Sequence, residues 1–82
     1  MTSTASSALV AARSMLTQGR AADALRLAEA QPGADIHTWQ LRGEALVNLG
    51  RLDDAIDALT AGLALESDHI DSLLLRGAAQ QA

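Results

Sequence analysis

Apolar residues recur at intervals of three and four between residues 39 and 65, which is the spacing of one face of an α-helix. Two such faces follow one another: the first consists of Trp39, Gly43, Leu46 and Leu49, and the second of Ala55, Leu59 and Leu63. Gly50 lies between them, and glycine commonly ends helices because it adopts left-handed backbone angles at no steric cost. The pattern therefore predicts a helical hairpin.

The pattern is repeated along the chain. Leu41-Arg42-Gly43 returns as Leu75-Arg76-Gly77, and we call the interval between these two triplets the long period. Gly19-Arg20 returns as Gly50-Arg51 over an interval that is almost one helical turn shorter. Intervals of this size are typical of stacked helical repeats. The shorter interval predicts that one helix stops early at Gln31-Pro32-Gly33, where proline and glycine oppose its continuation.

Five helices are predicted, over residues 5–18, 21–30, 36–49, 52–65 and 70–82. The first would be capped by Ser3 or Thr4, the third by Asp35, and the fifth by Ser67 or Asp68, because short oxygen-bearing side chains accept hydrogen bonds from the free amides of a first turn. Asp71 follows Asp68 by three residues, which resembles a capping box.

Composition agrees with an all-α chain. The 82 residues suffice for a single small domain, and about half of them are apolar. Trp39 is the single aromatic residue, so alanine and leucine, which are strong helix formers, must supply most of the core. The absence of cysteine excludes disulfides and thiolate chemistry.

Charge and hydropathy bear on partners and compartment. The formal charge is −4 and lysine is absent, which argues against nucleic acid as a partner because phosphate binding needs clustered positive charge. No apolar run approaches the roughly 18 residues of a membrane span, so we expect a cytoplasmic protein that does not bind membranes. Residues 1–20 contain arginine, serine and alanine but no acid, and a transit peptide is the alternative interpretation of that segment.

The middle hairpin resembles the tetratricopeptide repeat (TPR) family at seven positions: Trp39, Gly43, Leu46, Gly50, Ala55, Leu59 and Gly62. It departs from the family pattern at Ser67, where proline is usual, and at Arg42, where leucine is usual. The resemblance implies antiparallel helical hairpins stacked as a short right-handed solenoid of about two and a half repeats, over residues 5–34, 36–69 and 70–82. The arginine-only, alanine-rich composition further suggests a bacterial coding sequence.

The resemblance also implies which residues form the core and which bind a partner. The expected core comprises Trp39, Gly43, Leu46, Ala55, Leu59 and Gly77. The expected concave surface, on which such proteins hold a peptide or helix, presents Arg13, His37, Gln40, Glu44, Asn48, Asp71 and Leu74. One subgroup of the family binds the C-terminal carboxylate of chaperones, but only Arg13 occupies a matching position suitably, which argues against that activity here.

No catalytic, cofactor or metal site is predicted. His37 and His69, with Asp35 or Asp68, could be imagined as metal ligands, but the histidines lack the i, i+3 or i, i+4 spacing of a helical metal site. Asp53 and Asp54 are explained by the dipole at a helix N-terminus. For Arg42 and its repeat equivalent Arg76, a structural role such as pairing with a carboxylate on a neighbouring helix is favoured over ligand binding.

Three functions remain open from the sequence. The leading one is a non-catalytic protein-interaction module or scaffold with an unidentified peptide or protein partner. The second is the N-terminal scaffold of a larger enzyme, such as a transferase or hydroxylase. The third is self-assembly as a homodimer through the last helix, because residues 70–82 carry Leu73, Leu74 and Leu75 with no following helix to cover them.

Overall fold

The computed structural model describes residues 4–31 and 34–81, with side chains described from residue 8 onward. Over these residues the chain forms five α-helices and no strand, which confirms the all-α prediction. The helices are α1 (Thr4–Thr17), α2 (Ala21–Glu29), α3 (Ile36–Asn48), α4 (Leu52–Leu63) and α5 (Ile70–Gln81). Thr4 is the first residue of α1, and its alternative as a cap, Ser3, lies outside the described residues, as do Pro32, Gly33 and Ala82.

Two glycine turns join α1 to α2 and α3 to α4. Gly19 and Gly50 have φ angles of +78° and +76°, in the left-handed region. The amide that follows each glycine donates back into the helix, from Arg20 to the carbonyl of Met15 at 2.8 Å and from Arg51 to that of Leu46 at 2.9 Å. These are Schellman motifs, which satisfy the last carbonyls of a helix and allow the chain to reverse in a short turn.

The shorter interval between Gly19 and Gly50 has a structural counterpart. Helix α2 has 9 residues and α4 has 12, so the second helix of the first hairpin is the shorter one. Helix α2 ends at Glu29, just before the corner where proline and glycine were expected to stop it. The starts of α3 and α5, at Ile36 and Ile70, keep the long period.

Helices α3 and α5 are capped by different types of side chain, an aspartate and a histidine. Asp35 caps α3 as expected, since its Oδ1 accepts from the Thr38 amide at 3.0 Å. Ser67 and Asp68 do not cap α5, and that prediction is wrong. Instead, Nδ1 of His69 accepts from the Ser72 amide at 3.3 Å and lies 2.8 Å from the Ser72 hydroxyl. Helix α4 also ends earlier than predicted, at Leu63.

Helix α3 is central to the packing. Each helix packs against the next in the chain, and α3 also contacts α1 and α5, whereas α1 and α5 do not meet within the described part of the chain. Small side chains dominate the interfaces, so the helices approach closely. The two buried clusters consist of Ala12, Ala24, Ala28 and Leu41, and of Leu25, Ala45, Leu46, Ala55 and Ala58.

The residues expected to form the core do not all lie there. Gly43, Leu46, Ala55 and Leu59 are buried. Trp39 is only half-buried, because its ring lies at the edge of the α3–α4 interface with the Arg42 guanidinium over one face. Gly77 is also half-buried, and a Cβ built on it would meet nothing within 4 Å. Gly77 has the sequence context of Gly43 but no helix packed against it among the described residues.

Candidate binding groove

Helices α1, α3 and α5 together line a groove made of two adjoining cavities. The larger, of about 730 Å³, is lined by Arg13, Gln40, Glu44, Asp71, Leu74, Leu75 and Ala78. The smaller, of about 360 Å³, is lined by Leu16, Thr17, Glu44, Val47, Asn48 and Leu75. Glu44 and Leu75 belong to both cavities, so the groove is continuous across the three helices. A continuous concave surface with apolar and polar groups suits a ligand such as a peptide.

An ion pair bridges α1 and α3 within the groove. The guanidinium Nη1 of Arg13 lies 2.9 Å from Oε2 of Glu44, with side chains 52% and 26% exposed. A pair this exposed is worth only about 0–1 kcal/mol, so its main effect is to fix the position of the two side chains. The pair also neutralises most of the charge at the centre of the groove.

Helix α5 supplies the opposite wall. Asp71, in its first turn, has an exposed carboxylate that takes part in none of the ion pairs or hydrogen bonds found between described residues. Leu74 is 68% exposed, and Leu75 is half-buried beneath the groove. This wall therefore presents one unpaired acid beside aliphatic surface.

The structure brings together six of the seven residues expected on the concave surface. Arg13, Gln40, Glu44, Asn48, Asp71 and Leu74 all line one of the two cavities. His37 lines neither. Its ring instead meets that of His69 edge-on, with centroids 5.8 Å apart. Leu16, which the resemblance also placed on the concave surface, lines the smaller cavity, whereas Leu75, which was not expected there, lines both.

The meeting of His37 and His69 was not foreseen from their separation along the chain. Both lie at the starts of repeat-related helices, α3 and α5, so the long period was the signal that could have found it. His69 is engaged with Ser72 through Nδ1. Among the described residues no group of three or more potential metal ligands is found.

Arg42 lies on the other side of α3, facing α2 and α4. Its Nη2 donates to the carbonyls of Ala28 and Glu29, each at 3.3 Å, and its guanidinium carbon lies 4.6 Å from the centroid of the Trp39 ring. Arg42 thus has the expected kind of role, a contact with a neighbouring helix, but the carboxylate given as an example of its partner is wrong. Arg42 caps the carbonyl end of α2, where a cation also complements the helix dipole. Its buried Nε has no hydrogen-bond partner among the described residues.

Two aspartates outside the groove have perturbed acidity. The Thr38 amide, by donating to Asp35, lowers the pKa of that carboxyl below its ordinary value. Hydrogen bonds from Arg20 and Arg26 lower the pKa of Asp23 in the same direction. Both carboxylates belong to helix starts, so these shifts reflect capping and local ion pairs.

Within residues 4–31 and 34–81, no helix has the length and apolar character needed to cross a membrane. The sequence matches no protein-family model, no curated protein and no solved structure at a significant level.

Proposed function

We propose that this chain is a non-catalytic protein-interaction module that holds a segment of a partner protein in the groove between α1, α3 and α5. In this proposal the helices form a short right-handed TPR-type solenoid with repeats at residues 5–34, 36–69 and 70–82. The long period that relates α3 to α5 and the two matching glycine turns support it. Grooves of this kind bind a partner through apolar contacts ordered by a few polar groups.

The continuity of the groove is the observation that carries the proposal. Three helices that are far apart in sequence place their exposed side chains along one concavity, and Glu44 and Leu75 join its two parts. The polar lining groups are an ion pair, a carboxylate, two amides and the hydroxyl of Thr17. Among the described residues, that hydroxyl donates to the main-chain carbonyl of Ser14 at 2.7 Å and Glu44 is paired with Arg13, an arrangement that favours binding over catalysis.

Peptide selection with two matched variants tests the proposal. Leu74 and Ile70 lie on the same helix and are 68% and 67% exposed, but only Leu74 lines the groove. Peptides selected from a random display library on the wild-type chain are expected to bind the Ile70→Glu variant normally and to lose most of their affinity for Leu74→Glu. Failure to select any peptide, or equal binding to both variants, contradicts the proposal.

A second candidate function, self-association through α5, is favoured by an exposed apolar stripe. Ile70, Leu73 and Gly77 recur at helical spacing on the side of α5 away from its buried Ser72 and Ala79. The repeat-equivalent face of α3 packs on α4: Ile36 is only 3% exposed, and Gly43 contacts Leu59. The α5 stripe thus has the residues of a helix-packing face, and a second copy of α5 is a partner that would cover it.

A further inference from the structure

We propose that the occupant of the groove is a peptide segment that combines basic with aliphatic side chains. This inference rests on the proposed function and narrows it to one chemical class of partner. The charges and apolar groups that line the two cavities support it, as does their distribution between the two ends of the groove.

The charge of the groove is acidic once its internal pairing is counted. The charged side chains among the described lining residues are Arg13, Glu44 and Asp71. Arg13 and Glu44 neutralise one another at 2.9 Å, which leaves the carboxylate of Asp71 without a counter-ion. A cationic side chain of the partner would supply that counter-ion.

The five arginines other than Arg13 line neither cavity: four of them bind groups elsewhere, and the fifth, Arg76, lies on α5 outside the groove lining. Arg20, Arg26 and Arg51 pair with aspartates near the starts of α2 and α4. Arg42 binds the carbonyl end of α2. Within the described residues, Arg13 is therefore the single arginine that lines the groove, and it is held by Glu44. An acidic ligand would meet Asp71 and the Glu44 carboxylate without a free cation to balance it.

The two ends of the groove differ in polarity. Asp71 lines only the larger cavity, whereas Leu16 and Val47 line only the smaller one, and Leu75 lies between them. A matching segment therefore places a basic side chain beside Asp71 and aliphatic side chains over Leu75 and Val47. Apolar burial would supply most of the affinity, and the charge would set register and selectivity.

A panel of three capped synthetic peptides tests this inference. The peptides have the same length and the same leucine positions, and they carry lysine, glutamine or glutamate at the remaining positions. Calorimetry on the full chain measures each dissociation constant, and amide chemical-shift mapping locates each bound peptide. The expected order of affinity is lysine over glutamine over glutamate, with the lysine peptide mapped to α1, α3 and α5.

A matched pair of variants separates a contact at Asp71 from the general attraction of a chain with net charge −4 for cations. Asp71 and Asp53 are each the second residue of a helix, but Asp53 lines neither cavity of the groove. Asp71→Asn is expected to weaken binding of the lysine peptide about two- to fivefold, the scale of an exposed ion pair, and to reduce its salt dependence. Asp53→Asn is expected to leave both unchanged.

Each result bears on a different claim. Groove binding of the glutamine or glutamate peptide as tight as that of the lysine peptide overturns the basic-segment inference and leaves the proposed function standing. If Asp71→Asn and Asp53→Asn change the affinity for the lysine peptide equally, the basic-segment inference is likewise overturned and the proposed function still stands. Absence of groove binding by all three peptides counts against the proposed function as well. Groove shifts that appear on concentrating the chain without peptide would identify a second copy as the occupant and overturn the inference.

Discussion

A Cβ atom placed on Gly43 would lie 2.5 Å from Cδ2 of Leu59, which is fully buried. A second close contact between α3 and α4 has the opposite arrangement, with the glycine on α4: a Cβ on Gly62 would lie 2.8 Å from Cβ of Trp39. Glycine on each helix thus makes room for a large side chain on the other. Helix α3, which contacts all four other helices, is held to α4 at this close approach.

Gly43→Ala and Gly77→Ala are therefore expected to have opposite effects on stability, although the two glycines occupy equivalent positions in α3 and α5. Overpacking a closed core contact costs about 1–3 kcal/mol, which exceeds the gain of up to about 1 kcal/mol from replacing a mid-helix glycine by alanine. At Gly77 the added Cβ meets nothing, so Gly77→Ala has no packing cost and should increase the stability of the fold. Urea unfolding followed by circular dichroism measures both.

The double variant Gly43→Ala/Leu59→Ala identifies the partner in this contact. Leu59→Ala alone is expected to cost about 2–5 kcal/mol, because it leaves a cavity. Adding Gly43→Ala to it should cost much less than in the wild-type chain, since the new methyl group enters that cavity. Additive effects in this cycle would place the strain of Gly43→Ala somewhere other than Leu59.

Arg42→Ala is expected to destabilise the fold by about 1–3 kcal/mol, because it removes two hydrogen bonds to the end of α2 and the stacking on Trp39. Arg42→Lys should recover only part of this, since an ammonium group lacks the planar fork and face of a guanidinium. Arg76→Ala, at the repeat-equivalent position, is the control and should change stability by no more than about 0.5 kcal/mol. Thermal unfolding compares the three, and equal losses at Arg42 and Arg76 would refute the capping role.

Asp35 gives the fold a defined acid dependence. The Thr38 amide holds the pKa of this carboxyl below the ordinary value of an unfolded aspartate. The charged cap therefore stabilises the fold above that value, and the stabilisation is lost as the pH falls through the lower, folded pKa. Asp35→Asn keeps a neutral cap, so the wild type should be more stable than Asp35→Asn near pH 7 and should lose this advantage in acid, as the pH falls through the folded pKa of Asp35. A difference that stays constant over this range would show that the charge contributes nothing.

Sedimentation velocity tests self-association. If the stripe of Ile70, Leu73 and Gly77 packs against a second copy, the wild-type chain should be dimeric at tens of micromolar, because burying one leucine-sized side chain is worth about 1.5–3 kcal/mol. Ile70→Glu should return it to a monomer. Thr60→Glu, an exposed position on α4, is the control for added charge. A monomeric wild type at this concentration would remove the homodimer from consideration.

The helices and their turns could be predicted because their signals are local. Gly19 and Gly50 end helices through their own backbone angles, and Asp35 caps α3 through a contact three residues away. The groove could be largely anticipated as well, because a fixed period places equivalent residues such as Glu44 and Ala78 along one surface. These features depend on spacing, which the sequence contains directly.

The remaining features depend on surroundings that spacing does not specify. Gly77 repeats the sequence context of Gly43, but what packs on a glycine is decided by the neighbouring helix. The sequence did not specify which group the Arg42 guanidinium would meet. It binds free carbonyls at the end of α2, where a carboxylate was expected. His69 replaced Ser67 and Asp68 as the cap of α5 because α4 ended earlier and the turn continued to residue 69.

Binding of a partner segment in one groove by α1, α3 and α5 can be tested residue by residue. The most direct test is amide chemical-shift mapping of the isotope-labelled chain titrated with a peptide obtained by display selection. Saturable shifts are expected at Arg13, Glu44, Leu75 and Ala78, one or two of them on each of the three helices. Shifts concentrated on the outer faces of α2 and α4, or a peptide whose binding leaves the groove residues unshifted, would contradict binding in this groove.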